Sequence, residues 1–240
     1  MSMKNGIAYD FKKGTSEKDV TIVFVPGSGC IRKIYSGIIQ LLDYDCYAID
    51  LPGHGESENT GYSIENYVDS VAEFVSDLNN VIIVGHSLGG TICIGVAAKN
   101  LPSVKGCVLL STGSSYPKVD PHFVNSVKEG KPDLDYFVDC FGKIEEDVNS
   151  FFITGEVLLK DLKIDIELNL DDELDKINVP TQIFVGGGEI LTIVEYSEFI
   201  HEKVKNSTLT IYPEERHLLL LNQKEKTAEI INKAVEESIK

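Results

Sequence analysis

Along the chain, short uninterrupted apolar runs alternate with stretches whose apolar residues recur every three to four positions. The runs are IAYDF (7–11), VTIVFVP (20–26), DCYAID (45–50), VIIVG (81–85), KGCVLLS (105–111), TQIFVG (181–186) and STLTIY (207–212). Most carry β-branched or aromatic residues on consecutive positions, the pattern of strands covered on both faces. Helical periodicity appears near 33–43, 64–79, 88–100, 195–205 and 222–239. This alternation predicts an α/β fold, a mostly parallel sheet with helices on both faces. In the last helix Ala228, Ile231, Ala234, Val235 and Ile239 fall on or near one face, which should pack on the sheet.

One interval breaks the alternation. Nearly seventy residues separate the run ending at Ser111 from the one starting at Thr181, far more than a strand-to-helix connection needs. The pattern therefore predicts a core formed by 1–115 and 177–240 and an inserted segment at 116–176. The insertion is rich in acids and aromatics, looks helical around 120–163, and reads as a small lid. Within it LKIDIELNL (162–170) alternates apolar and polar residues with a period of two, which predicts a strand or an extended link.

Composition narrows the function classes. The chain has 240 residues, and 22 Lys and Arg stand against 38 Asp and Glu, a formal net charge of −16. Phosphate backbones and anionic lipid surfaces would be repelled, which argues against a nucleic-acid partner. The N-terminal stretch lacks the layout of a signal peptide and no run has the length of a membrane span, so a cytoplasmic protein without integral membrane association is expected. Five scattered cysteines without CxxC spacing suggest neither a disulfide framework nor a zinc site, and Cys46, Cys93 and Cys107 read as small core residues. A homo-oligomer is compatible with the sequence but not legible in it.

The candidate chemistry starts at Gly85-His86-Ser87-Leu88-Gly89, which fits G-x-S-x-G, a strained strand-to-helix turn that exposes a serine hydroxyl. Gly85 and Gly89 would leave room where side chains would strike the neighbouring strand and the helix. The bare pattern arises by chance in roughly one chain of this composition in ten. Here it follows VIIV and opens TICIGVAAK, a helix of small apolar residues suited to burial. The other reading of Ser87 is an ordinary helix cap.

A serine nucleophile needs a base oriented by a carboxylate. Of five histidines, His54 lies in a Gly-Pro turn, His86 adjoins the serine, His122 is in the insertion and His201 in a helical pattern. His217 falls in the loop after the last strand, where open α/β sheets bind ligands. The matching acid is Glu189, after Gly186-Gly187-Gly188 at the end of another strand, with Glu195 and Glu198 as rivals in a helical pattern. Backbone N–H groups of Leu88 and of Ser28, in VPGSGC (25–30), are the candidate donors to a developing oxyanion.

With FVPGSG, AIDLPGHGES, VGHSLGG, VPTQIFVGGGE and TIYPEERH in this order, the chain from about residue 5 onward resembles the α/β-hydrolase superfamily, particularly its small lidded esterase and lipase-like members. The resemblance implies a sheet of up to eight strands, a lid inserted after the sixth, Ser87, Glu189 and His217 as catalytic set, and Ser28 with Leu88 as oxyanion hole. It also implies a structural Asp50. Three positions depart from the family's habit: Pro26-Gly27 replaces His-Gly in the oxyanion loop, the acid is Glu and not Asp, and Arg216 and not Gly precedes the histidine. The expected activity is hydrolysis of a small or monoacyl carboxylic ester through a Ser87 acyl-enzyme, without metal or organic cofactor. Phe137, Phe141, Phe151, Phe152 and Leu158 would either wall an acyl site or anchor the lid. The same triad would serve a thioesterase, amidase, acyltransferase or C–C bond hydrolase, and the scaffold could also carry a non-catalytic binder.

Overall fold

The computed structural model describes residues 2–145 and 147–239. Met1, Glu146 and Lys240, which the domain boundaries above include, lie outside the described residues. The elements in chain order are β1 (Ser2–Lys4), β2 (Ile7–Lys12), β3 (Thr21–Val25), α1 (Ser36–Ile39), β4 (Asp45–Ile49), α2 (Ile64–Val75), β5 (Val81–His86), α3 (Leu88–Ala98) and β6 (Val104–Leu110). They continue with α4 (Pro121–Lys128), α5 (Leu134–Asp139), α6 (Glu156–Glu167), β7 (Thr181–Gly186), α7 (Val194–Lys203), β8 (Ser207–Tyr212), α8 (Leu219–Asn222) and α9 (Lys224–Ser238). All seven predicted strands form, and β1 adds an eighth that pairs antiparallel with β2. The sheet order is β1-β2-β4-β3-β5-β6-β7-β8, parallel from β4 to β8.

Alternate side chains of each strand enter opposite cores, as the pleat requires. Ile22, Phe24, Ile82, Val84, Val108 and Phe184 pack beneath α1 and α9, while Val23, Val25, Ile83, Leu109 and Ile183 meet α2, α3 and α7. α3 is buried along its whole length, which explains why its sequence is apolar all round. In α9 the buried face holds Ala228, Ile230, Ile231, Ala234 and Val235. Ile239, expected on that face, lies just past the helix and is 45% exposed. All five cysteines are free and buried.

Between β6 and β7 the chain forms α4, α5, α6 and two short 3-10 turns. LKIDIELNL is not a strand: α6 runs through Glu167, and only the last residues extend to bridge Ser115 at Asn169. Its two-residue alternation gives way to a helix whose buried face carries Leu158, Asp161 and Leu162, at helical spacing. The expectation failed because acids stand among the residues on that face, which masked the 3.6 period. Phe137, Phe141, Phe151 and Leu158 are buried in the core cluster and Phe152 packs against it. They anchor the insertion, and the pocket wall is made by other residues.

Candidate active site

β5 lies between β3 and β6 and is buried at every position, so its carboxyl end is fixed on both sides. Ser87 follows it with φ 55° and ψ −126°, and its side chain makes no capping bond to α3. The helix-cap reading therefore fails. A non-glycine residue in such a conformation costs about 1–3 kcal/mol, which persists only when the surroundings enforce it. They do so here: Ser87 N–H donates to the Leu110 carbonyl at 3.0 Å, and the Thr112 hydroxyl donates to the Ser87 carbonyl at 2.7 Å. A Cβ at Gly85 would lie 2.2 Å from the Gly89 carbonyl oxygen, and one at Gly89 would lie 2.2 Å from that of Val25. Both glycines are required by the turn's closeness to helix and strand.

Glu189 and His217 come from the loops after β7 and β8, at the same sheet edge. His217 Nδ1 donates to Glu189 Oε2 at 3.0 Å, and both side chains are almost fully shielded from solvent. The other carboxylate oxygen, Oε1, accepts from the N–H groups of Leu191 (3.1 Å) and Thr192 (3.3 Å). Burial opposes the charged form of Glu189, yet His217 and these two amides hold its carboxyl below the usual carboxylate range. Glu195 and Glu198 sit on α7, and neither bonds His217.

The triple glycine serves backbone packing. A Cβ at Gly186 would fall 2.2 Å from the Glu215 carbonyl oxygen and one at Gly188 would be tight, whereas Gly187 has ordinary room. The strand end thus lies against the 213–216 turn that carries His217. Arg216 has its own role: its guanidinium donates to the Asp139 carbonyl at 2.8 Å, while His217 N–H donates to the Cys140 carbonyl at 3.2 Å. These bonds tie the histidine loop to the end of α5. His86 is neutral and structural, its Nε2 bonded to the His217 carbonyl at 2.8 Å. Burial and the neighbouring His217 drop its pKa to about 3.

The loop after β3 brings Gly27 against Ser87, where a Cβ would stand 2.9 Å from the serine's own. Leu88 N–H belongs to the first turn of α3 and has no intrahelical acceptor. Ser28, the next residue after Gly27, is buried, and its hydroxyl donates to Asp165 Oδ2 at 2.6 Å. One residue further on, Gly29 N–H donates to Asp161 Oδ2 at 2.8 Å. Asp161 is fully buried and also accepts from His54 Nε2 (2.7 Å) and the Tyr67 hydroxyl (2.8 Å). Asp50 accepts from Arg32 N–H at 2.8 Å and pairs with its guanidinium, a scaffold contact.

Sequence reasoning missed Asp161 and Asp165. Their signal was two acids four residues apart among Leu158, Leu162 and Ile166, a helical arrangement that the period-two reading hid. Ser87 opens into a pocket with Tyr116, Phe123, Leu162, Asp165 and Leu191, whose free volume is about 20 Å³, room for one water molecule. His122 and His201 lie on α4 and α7, away from this group. Among the described residues no helix is long and apolar enough to cross a membrane.

Residues 22–161 match the model of the alpha/beta hydrolase family. A lipase-esterase related protein from Clostridium acetobutylicum, solved by crystallography, superposes with a TM-score of 0.89 at 33% identity, covering 95% of this chain and 99% of that one. A proline iminopeptidase from Saccharolobus solfataricus is 22% identical over 94% of this chain and 86% of its own length. A pimeloyl-[acyl-carrier protein] methyl ester esterase from Neisseria meningitidis is 24% identical, covering 90% of this chain and 76% of that protein.

Proposed function

The chain belongs to the alpha/beta hydrolase family, and from that premise we propose that it hydrolyses small carboxylic esters through an acyl-enzyme on Ser87. The observation that carries the reading is the uncapped Ser87 in its strained turn, on the sheet edge that also presents the buried His217–Glu189 pair.

In this reading His217 takes the Ser87 proton as the hydroxyl attacks the carbonyl carbon. Glu189 fixes the imidazole through Nδ1, which leaves Nε2 as the base, and it stabilises the imidazolium that forms. The Leu88 and Ser28 amides receive the charge that develops on the carbonyl oxygen. The imidazolium then protonates the leaving alcohol, and water repeats the sequence to release the acid and free Ser87. No step calls on a metal or an organic cofactor. The segment 116–176 acts as a lid, since its α6 reaches both the pocket and the loop after β3. The pocket beside Ser87 is narrow, so a shift of the lid would widen it for an acyl group.

Turnover of nitrophenyl acetate by wild type and by Ser87→Ala tests the proposal. Loss of at least about a thousand-fold in kcat with an unchanged fold is expected. Equal rates would refute it.

A further inference from the structure

The pocket beside Ser87 has mostly apolar walls, built by Tyr116, Val119, Phe123, Leu162, Ile166 and Leu191; besides Ser87 its polar residues are Thr192, whose hydroxyl donates to the Ser111 carbonyl, and Asp165. Asp165 enters it from α6. Its Oδ2 is engaged by the Ser28 hydroxyl at 2.6 Å, but its Oδ1 is shielded from solvent and has no hydrogen-bond partner. A shielded carboxyl oxygen without a donor costs free energy comparable to a lost hydrogen bond, so such atoms are generally paired with protein, water or a ligand.

The charges around it are lopsided. Three acids surround the pocket region: Asp165, Asp161 one turn earlier on α6, and Glu189 behind the pocket wall. Of the imidazoles nearby, His54 is committed to Asp161 and His217 to Glu189, and His86, next to Ser87, bonds the His217 carbonyl; the tyrosines Tyr67 and Tyr116 are neutral. Lys160 and Lys163 of the same helix line a separate outer groove. Among the described residues, no cation and no N–H or O–H donor faces Asp165 Oδ1.

We infer that Asp165 is a specificity-determining residue that recognises a hydrogen-bond donor on the substrate, a protonated amine or a hydroxyl carried by the group held under the lid. The inference rests on Ser87 being the nucleophile, because it assigns the chemistry of the group that Ser87 cleaves. A mostly apolar wall with one unpartnered acceptor selects an aliphatic chain that ends in one donor and, once Asp165 is ionised, disfavours a chain that ends in a carboxylate. The Ser28–Asp165 bond adds a link to the oxyanion loop, so a correctly placed donor also steadies the loop that receives the developing charge.

Burial, reinforced by Asp161 and opposed by the Ser28 hydroxyl, pushes the Asp165 carboxyl up to about 8. An ammonium is therefore held best once Asp165 has lost its proton, and the preference for it should rise with pH from 6 to 8.5.

The test uses methyl esters of ω-amino acids and of ω-hydroxy acids, each beside the alkanoate methyl ester in which a methyl group replaces the donor. Methanol release gives kcat/KM for each pair. In wild type the donor-bearing member of at least one pair is expected to be favoured by about 10-fold or more, the ratio that one charge-assisted hydrogen bond supports. The ammonium ratio should increase with pH, and Asp165→Asn should reduce it by a similar factor. If alkanoate esters turn over and Ser87 reacts with a fluorophosphonate, yet no pair favours the donor, the inference is overturned while the serine-hydrolase reading stands. If Ser87 does not react, that reading fails, and calorimetric binding of n-butylammonium against butanoate still decides on Asp165: equal or weaker ammonium binding overturns it. Should Asp165→Asn not fold, the wild-type ratios and their pH trend decide on their own.

Discussion

Replacing Asp161 should loosen α6, in the proposed lid, and the loop after β3 together. Its two carboxylate oxygens accept from Gly29 N–H, His54 Nε2 and the Tyr67 hydroxyl, which belong to the loop after β3, the turn at 52–57 and α2. Asp161→Ala leaves three buried donors without a partner. At about 1–3 kcal/mol each, reduced because the Tyr67 hydroxyl can rotate, the loss should be about 3–6 kcal/mol. For a chain of this size that is a drop in Tm of roughly 6–24 °C.

Asp161→Asn keeps an acceptor for Gly29 and His54 and turns an amide toward the Tyr67 oxygen, so it should cost about 1–2 kcal/mol. The two variants also separate by pH. Burial disfavours the imidazolium of His54, but Asp161 more than reverses this and raises its pKa above the usual 6.5. A raised folded pKa contributes stability that is fully present below about 6.5 and is lost as pH rises through the folded value. The margin of wild type over Asp161→Asn should therefore narrow with rising pH. Urea unfolding followed by circular dichroism at several pH values, with ester turnover on the same samples, measures all three proteins. Destabilisation of Asp161→Ala by under about 1 kcal/mol, or equal losses in the two variants, would refute the reasoning.

Glu189→Gln removes the charge that orients and stabilises the His217 imidazolium, and kcat for nitrophenyl acetate should fall by roughly 10²–10⁴ with little change in KM; an unchanged kcat would assign the role to another acid. Gly89→Ala would place a Cβ 2.2 Å from the Val25 carbonyl oxygen, so a loss of about 1–3 kcal/mol in thermal unfolding, with turnover falling as the turn opens, is expected. Phe123→Ala enlarges the pocket beside Ser87 and should shift the ratio of kcat/KM for hexanoate over acetate nitrophenyl esters upward by about 10-fold, the worth of one or two methylenes. A flat chain-length profile in that variant would place the acyl group elsewhere.

The inner parallel strands were legible because burial on both faces leaves an unbroken apolar run, and β7 matches TQIFVG residue for residue; the half-buried edge strand β8 matches STLTIY through its β-branched and aromatic residues. β1 was not, since Ser2–Lys4 is short and solvent-facing and owes its form to pairing with β2. The proposed catalytic residues could be named because each follows a strand at the same sheet edge, a consequence of parallel topology that order along the chain reveals. The chemistry of the pocket could not. Phe123, Leu162 and Asp165 reach Ser87 only through the packing of α4 and α6 on the core, and nothing local distinguishes a wall from an anchor. Asp161 and Asp165 stand four residues apart among apolar neighbours, a spacing that points inward only once the segment is read as a helix, where the turn residue His54 meets one of them.

The central claim is that the strained turn makes Ser87 the nucleophile of a serine hydrolase. Intact-mass spectrometry after a fluorophosphonate pulse, with tandem sequencing of the modified peptide, addresses it directly. One adduct per chain at Ser87 in wild type, none in Ser87→Ala, and slowed labelling in His217→Ala are the predicted results. An unlabelled wild type, or equal labelling of Ser87→Ala, would contradict the account.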